Sequence, residues 1–339
     1  MVNINRYISS NFTKGFLTIF LPFFLIISLV YLVKISSLTT QIQISFSELL
    51  VLYSYFVPNI IFYTLPLSFI TALANVLVKL SQDNELIALY ALGLKASKVL
   101  RPLMLLALLF SLLLASISFL AMPLSKQLFK EFKSAKKAEA KLNIVAGKLG
   151  QKFGDYYIYV ESKSADTFNN IVIYQRNKKE IEQFFSSQKG RLNKKEGITS
   201  LQLNDGYGYT YSKDKLQQAK YQSLEVFDSS RSTSFKFEDI ITHWKKAQRS
   251  KHMLHRLLFF LFVSFIPLLA VYLVAAFTMI NPRYASNRSF LVIFVTTLSL
   301  YMLASSLEKW GSFVLFLTAV FLTALLGHFL FKQRVARYF

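Results

Sequence analysis

Residues 257–282 read LLFFLFVSFIPLLAVYLVAAFTMINP and contain no Asp, Glu, Lys or Arg. A helix needs roughly 20 apolar residues to cross ~30 Å of hydrocarbon. Because lipid offers the backbone no hydrogen-bond partners, a run of this length and composition is typical of a transmembrane helix. This stretch therefore indicates the fold class, and the same pattern recurs along the chain.

Five further runs also lack acidic and basic residues, and they cover residues 15–33, 49–78, 102–125, 289–307 and 310–331. The run 49–78 is too long for one span. Pro58 and Pro66 are expected to break it, which leaves a loop or interfacial turn before a span nearer residues 58–78. A buried core helix is the alternative for any one run, but six runs in one chain favour a polytopic membrane protein.

The composition excludes several kinds of site. The chain has no cysteine, which excludes thiol nucleophiles, cysteine metal ligands and disulfides. It has no Gly-x-x-x-x-Gly-Lys-Ser/Thr loop, so it carries no P-loop for ATP. His252 and His255 have no clustered carboxylates beside them, so we expect no metal site. The net charge of +21 favours anionic lipid headgroups or an anionic substrate over nucleic acid in a chain with six spans.

The segment between the third and fourth runs predicts a soluble insertion. The third span first continues at helical spacing, with apolar residues at Leu124, Leu128, Phe132 and Ala135. After Gly147 the pattern changes to period two, as in residues 156–161 and 207–212. Asn169-Asn170 and Asn204-Asp205-Gly206 are typical of turns between short strands. The pattern indicates an all-β domain, either an antiparallel sandwich or an open barrel.

The short loops predict the orientation. With the N-terminus inside, the inner side carries Arg6, Lys14, Lys79, Lys95, Lys98, Arg101, Arg283, Arg288, Lys332, Arg334 and Arg337. The outer short loops then carry only Lys34 and Lys309. The basic flanks of the β insertion oppose this bias, but large domains translocate largely regardless of charge. The short loops therefore favour cytoplasmic termini and a β domain on the opposite side.

The inner loop between the second and third runs, residues 79–95, reads KLSQDNELIALYALGLK. Ser81 or Asp83 is expected to cap a short helix, with Asp83 and Glu85 at its positive N-terminal end. Gly93 suits the left-handed residue that stops such a helix. The loop therefore predicts a short capped helix at the cytoplasmic surface.

One face of this short helix is apolar and consists of Leu86, Leu89 and Tyr90. Such a face, with acids at one end, is typical of a helix that docks into a partner's groove. The same face is equally compatible with a helix that packs on its own spans. Composition alone favours neither interpretation.

Two motifs resemble one known family over the whole span–domain–span order. They are Pro66-Leu67-Ser68 and the pattern Leu80-Ser81-x-Asp83-x-Glu85-Leu86-x-Ala88-Leu89-x-Ala91-x-Gly93. Together they resemble the lipopolysaccharide export permeases LptF/LptG, also called YjgP/YjgQ. Asn281-Pro282-Arg283, after the fourth span, looks more like the LptF branch.

The resemblance implies a function and a set of partners. Family members pair as an LptF–LptG heterodimer on a dimer of the ATPase LptB, which alone binds ATP and Mg. They extract lipopolysaccharide from the inner membrane and pass it through periplasmic β-jellyroll domains to the bridge proteins LptC and LptA. The chain itself is then not an enzyme and needs no cofactor. The resemblance also implies an inner-membrane location with cytoplasmic termini and a periplasmic β domain.

The resemblance also implies roles for individual residues. The ATPase-coupling helix near residues 81–93 corresponds to Asp83, Glu85, Leu86, Leu89, Tyr90 and Gly93. Lys34 matches the basic residues that meet lipid phosphates at the outer end of the first span. The expected domains are residues 1–125 with spans one to three, residues 126–250 as a jellyroll-like β domain, and residues 251–339 with spans four to six.

Two other functions compete with this one. An ATP-independent carrier would transport its substrate alone, driven by an ion gradient. Carriers of that kind usually have ionisable groups inside their spans, and these runs contain almost none. A membrane-anchored assembly protein would use its β domain to hold a periplasmic partner without binding a glycolipid.

Overall fold

The computed structural model describes residues 4–39, 44–142, 144–153, 156–164, 167–176, 181–195, 198–212, 215–227, 237–246, 250–279 and 289–337. The chain forms two compact units. The first comprises Met1–Ser37, Ser45–Phe129 and Phe237–Phe339, and the second comprises Leu38–Ile44 and Lys130–Lys236. The first unit is helical, and the second contains the sheet.

Six helices in the described part of the chain are long and apolar enough to cross a membrane, as predicted. They are Ile4–Ser37, Val57–Gln82, Ala96–Lys136, Lys251–Thr278, Ser289–Trp310 and Phe313–Ala336. The predicted six-span fold with an inserted β domain is therefore confirmed. Asn281-Pro282-Arg283, the motif that resembled LptF, lies outside the described residues.

The helices of the membrane unit follow the chain in this order: α1 (Ile4–Thr39), α2 (Phe46–Ser54), α3 (Val57–Gln82), α4 (Glu85–Ala91), α5 (Ala96–Ser116), α6 (Met122–Leu142), α7 (Ile240–Lys245), α8 (Lys251–Thr278), α9 (Ser289–Trp310) and α10 (Phe313–Phe331). A π-helical turn, Ile117–Ala121, joins α5 to α6. This continuity confirms that the helix of the third span continues beyond its charge-free run. A second π-helical turn, Lys332–Ala336, extends α10.

The core of the membrane unit is centred on α8, which packs against α3, α5, α9 and α10. Large side chains at its centre, such as Phe62, Phe69 and Phe262, are fully buried. The spans of α1, α9 and α10 are mostly exposed, as expected of helices that face lipid or another subunit. The two most buried spans therefore form a rigid centre that positions the others.

Of the two prolines of the second run, Pro58 agrees with the predicted break, since α3 begins at Val57, whereas Pro66 does not. Pro58 lies in the first turn of α3, where its missing N–H costs no hydrogen bond. Pro66 lies inside α3 without ending it. The residues before α3 are also not a loop: they form α2, which has a capping box between Ser45 and Glu48. Packing from neighbouring spans compensates for a proline inside a membrane helix.

The second unit holds six antiparallel strands. They are β1 (Gln151–Phe153), β2 (Tyr156–Ser164), β3 (Thr167–Arg176), β4 (Glu182–Lys195), β5 (Ile198–Ser212) and β6 (Lys215–Phe227). Neighbours in the sheet are neighbours in the chain, so the topology is a meander. A jellyroll requires crossover connections between two sheets, and the described strands contain none. The β insertion is confirmed, whereas its strand order differs from the expected jellyroll.

One face of the sheet carries the apolar core of this unit, as the period-two pattern predicts. Its fully buried side chains include Ile158, Val160, Ile171, Ile173, Leu201 and Leu203. Tyr157 and Glu161, which alternate with them, are exposed. The tyrosines of β5 face the opposite way from Gly208, which is buried.

The two expected turns at Asn169-Asn170 and Asn204-Asp205-Gly206 are instead kinks inside strands. Asn170 and Asp205 have φ values of 49° and 54°, and β3 and β5 continue through them. Both lie in one row across the sheet, on either side of an exposed residue of β4, Gln188. The left-handed residue shifts the inward-facing positions by one in β5, from Leu201 and Leu203 before it to Gly206 and Gly208 after it. We call this row, Asn170, Gln188 and Asp205, the crease. At the crease the alternation of buried and exposed residues shifts by one position along the strand.

Candidate functional site

The short helix predicted between the second and third spans exists, but it begins differently from the prediction. Ser81 is buried inside α3, and Asp83 is the C-cap residue directly after that helix. Asn84 then takes a left-handed conformation with φ 58°, and no side chain caps α4. The predicted cap at Ser81 or Asp83 is therefore wrong, because α3 extends about one turn further than expected.

The end of α4 agrees with the prediction. Gly93 has φ 78°, the left-handed conformation expected of a helix stop. Its N–H donates to the carbonyl of Tyr90 at 2.9 Å, and the N–H of Leu94 donates to the carbonyl of Leu89 at 3.2 Å. These bonds satisfy carbonyls that the end of the helix would leave unpaired. The chain can then turn directly into α5.

The apolar face of α4 packs inward. Leu86 is buried, and Leu89 and Tyr90 are partly buried against the core of the membrane unit. Burial also raises the pKa of the Tyr90 hydroxyl, so this side chain is neutral at every physiological pH. This face holds α4 rigidly on α3 and leaves its other side to solvent.

The exposed side of the same loop carries a different set of residues. Asp83 and Ala88 are exposed, and Leu92 is 77% exposed. Glu85 is half-exposed at the first position of α4. Any partner that docks on this loop would therefore meet two carboxylates and Leu92, a residue that the sequence pattern did not single out.

Glu85 has a partner that the sequence analysis missed. The hydroxyl of Tyr7, near the start of α1, donates to the two carboxylate oxygens of Glu85 at 3.0 and 2.9 Å. The two residues are 78 positions apart, so no local pattern signals the contact. The hydrogen bond joins α4 to the helix that forms the first span.

Lys34 lies near the other end of α1 and is exposed. Its ammonium nitrogen lies 5.8 Å from the centre of the Tyr31 ring, and that ring packs 5.3 Å from Phe56. A helix rises 1.5 Å per residue, so Tyr7 and Lys34 are separated by about 40 Å along α1. One helix therefore connects the loop acid at one membrane surface with a cation at the other.

The described residues offer little to hold a metal ion. Within those ranges, no three His, Asp or Glu side chains come close enough together to bind one. The chain also lacks cysteine. The charged residues described above are instead acids on the loop between the second and third spans and a cation near the far end of α1.

The fold defines a polytopic membrane protein: two sets of three spans flank an inserted β domain in the chain, and a short helix held on α3 lies between the second and third spans. The family model for the lipopolysaccharide export system permease LptF/LptG matches residues 6–333. The chain therefore belongs to the LptF/LptG family, and the match does not distinguish LptF from LptG. A search of curated proteins finds no significant match.

Family membership fixes the broad function. The chain is a non-catalytic permease component of lipopolysaccharide export, and it is a multi-pass protein of the Gram-negative inner membrane. The family match and the six membrane-spanning helices agree on this assignment.

Proposed function

We propose that this chain is one permease subunit of an ATP-driven transporter that extracts lipopolysaccharide from the inner membrane and passes it to a periplasmic bridge. It pairs with a second LptF- or LptG-like subunit, and a dimeric LptB-like ATPase binds the ATP and Mg. LptC- and LptA-like proteins receive the lipid. The observation that carries this proposal is the hydrogen bond between Glu85 and Tyr7, because it links the loop acid to the span that bears Lys34.

The proposed orientation places both termini and α4 in the cytoplasm and the sheet in the periplasm. The asymmetry of basic residues in the short loops supports it. In this orientation Asp83, Glu85 and Leu92 face the ATPase, and Lys34 lies at the level of the lipid phosphates. Leu86, Leu89, Tyr90 and Gly93 support the coupling by fixing α4 on α3.

The direct test is to purify the chain from its native membrane and to identify bound proteins and lipids by mass spectrometry. We expect an ATPase subunit, a second permease subunit and lipopolysaccharide to co-purify with the chain. Recovery of periplasmic proteins without an ATPase or glycolipid would support the assembly protein instead. Transport by the chain alone, driven by an ion gradient in vesicles, would support the carrier.

Substituting Tyr7 by phenylalanine is expected to reduce coupling without releasing the ATPase. The change removes only the hydroxyl that binds Glu85, and a hydrogen bond of about 1 kcal/mol corresponds to roughly a fivefold change. We expect a loss of that order in lipopolysaccharide transported per ATP hydrolysed. The measurement compares transport and ATPase rates of the reconstituted complex. Tyr211→Phe, an exposed tyrosine of β5, is the matched control. If Y7F transported as much lipopolysaccharide per ATP as the wild type, Tyr7 would have no role in coupling.

Substituting Lys34 by glutamate is expected to impair lipid capture. A basic residue near an anionic membrane surface contributes about 1 kcal/mol, so a reversal should lower retention of lipopolysaccharide by roughly tenfold or more. The measurement is the amount of lipopolysaccharide that co-purifies with the complex. Lys14→Glu is the matched control, because Lys14 is an exposed lysine at the other end of the same helix. Equal retention in K34E and K14E would contradict the role of Lys34.

A further inference from the structure

A small cavity lies in the membrane unit where the spans end near the junctions with the β insertion. Its volume is about 100 Å³, and α3, α6, α7 and α8 contribute its walls. A water molecule occupies about 30 Å³, so the cavity has room for a group of phosphate size. The residues that line it belong to one unit, so its walls are fixed relative to one another.

Two cations from different helices line this cavity. Lys126 lies on α6 and Arg256 on α8. Arg256 stacks over the ring of Phe260, with 5.3 Å between the guanidinium carbon and the ring centre. Among the described residues, no carboxylate forms an ion pair with Arg256. The guanidinium is therefore held by an aromatic ring, which leaves its N–H groups available to an anion.

Neutral hydrogen-bonding groups complete the lining. Asn59, at the start of α3, and Ser125, which is buried, line the same cavity as the two cations. His243 lines the cavity as well, and burial lowers its pKa, with Lys126 and Arg256 acting in the same direction. The imidazole is thus neutral near pH 7 and offers a hydrogen bond rather than a third charge. The carboxylate of Glu238 lies 3.9 Å from His243 and forms an ion pair with Lys246.

The wall formed by α7 is anchored to the third span. The indole N–H of Trp244 donates to the carbonyl of Phe119 at 2.9 Å, inside the π-helical turn that joins α5 to α6. The side chain of Gln127 pairs with the backbone of Glu238 twice, donating to its carbonyl at 3.0 Å and accepting from its N–H at 2.8 Å. These bonds fix the cavity before any ligand enters, which reduces the entropy lost on binding.

The sequence places both cations at the boundary of the apolar region. The charge-free run of the third span ends at Ser125, immediately before Lys126, and that of the fourth span begins at Leu257, immediately after Arg256. Basic residues at this level contact lipid headgroups, and basic pockets between membrane helices bind them specifically. Trp244 beside them is typical of the same level, because its ring is apolar and its N–H polar.

We propose that this cavity binds the phosphate of an anionic membrane lipid, held by Arg256 and Lys126 and oriented by Asn59 and Ser125. Lys34 on α1 is not among the residues that line this cavity, and the site does not depend on ATPase docking. The phosphate belongs either to a bilayer phospholipid or to the exported glycolipid. Both present the same chemistry to the cavity, and competition distinguishes them.

The experiment uses Trp244 as the reporter. The chain has two tryptophans, so Trp310→Phe leaves Trp244 as the single indole. The full chain is placed in phosphatidylcholine nanodiscs that contain a minor fraction of either dibrominated phosphatidylglycerol or dibrominated phosphatidylcholine. Bromine quenches an indole that it contacts. We expect stronger quenching by the anionic lipid, and a preference about tenfold weaker when Arg256 and Lys126 are both glutamine.

Two further variants control the experiment. Lys251→Gln removes an exposed cation at the start of α8 and should keep the full preference. The charge-preserving pair R256K and K126R should retain most of it, which separates charge from folding. Equal quenching by the two brominated lipids, or a full preference in the double glutamine variant, would overturn the proposal.

Competition then assigns the source of the phosphate. Displacement of the brominated lipid by lipopolysaccharide, but not by inorganic phosphate, supports the proposal with the exported glycolipid as occupant. Resistance to both supports it with a bilayer phospholipid as occupant. Displacement by inorganic phosphate alone overturns it, because the cavity would then be a site for the free ion.

Discussion

Replacing Glu85 by lysine is expected to abolish co-purification of the ATPase subunit and, with it, ATP-driven transport. Glu85 is half-exposed at the first position of α4, next to exposed Asp83, so the proposed docking surface is acidic. A basic groove that accepts these acids would then meet a lysine. Breaking a close charge pair at an interface costs about 2–5 kcal/mol, which is roughly a 30-fold to several-thousand-fold loss of affinity. The measurement is the ratio of ATPase to permease recovered after purification.

The control for Glu85→Lys is Glu308→Lys. Glu308 is an exposed acid near the end of α9, on the side of the membrane opposite to α4 in the proposed orientation. The Glu308→Lys variant carries the same charge reversal away from the proposed docking surface, so it should retain the ATPase. Y7F adds a second comparison, because it leaves the Glu85 charge in place and should also retain the ATPase. Normal recovery of the ATPase with E85K would show that this loop does not dock the ATPase.

The spans were predictable because lipid imposes a simple rule on the sequence. A helix that crosses a membrane needs about 20 residues without charge, and runs of that length are easily recognised in a sequence. The local backbone conformation was harder to predict from the sequence. Pro66 was expected to interrupt α3, yet the helix continues through it. The rule that proline breaks helices holds in water, whereas neighbouring spans satisfy the freed backbone groups inside a membrane bundle.

The candidate site shows the same division between local and long-range information. Gly93 was predictable as a helix stop, because a left-handed residue there is a property of the local chain. The contact of Tyr7 with Glu85 was not predictable, and neither was the presence of Lys126 and Arg256 in the lining of one cavity, since each brings together helices that are distant in sequence. Leu86 illustrates the remaining ambiguity: an apolar helix face predicts burial, but not what buries it.

The crease in the sheet is the clearest case of a correct signal with the wrong interpretation. Asn170 and Asp205 do take the left-handed conformation that asparagine and aspartate favour in turns. They take it inside β3 and β5, where the pairing continues on both sides. The sequence therefore showed where the backbone bends, while the pairing of neighbouring strands decided that the bend would not reverse the chain.

Substituting Gly206 by alanine is expected to destabilise the sheet at this crease without affecting the membrane unit. A Cβ atom at Gly206 would collide with the carbonyl oxygen of Ser186 and with the hydroxyl of Tyr221. That hydroxyl donates to the same carbonyl at 2.9 Å, so the new methyl group separates a hydrogen-bonded pair. Overpacking together with the lost bond should cost about 2–4 kcal/mol.

Gly208→Ala is the matched control for Gly206→Ala, because Gly208 is a buried glycine of the same strand. Its added Cβ would meet ring atoms of Phe185 at 3.1 Å, and a side chain can shift where a backbone carbonyl in a paired strand cannot. Amide hydrogen exchange should therefore accelerate by roughly 30-fold or more in β4–β6 of G206A, and much less in G208A. Peptides from α3 and α8 should exchange at the wild-type rate in both variants. Equal amide protection in G206A and G208A would contradict this prediction. It would mean that the backbone at the crease can shift to accommodate a Cβ atom, and that the shift in buried positions there does not require Gly206.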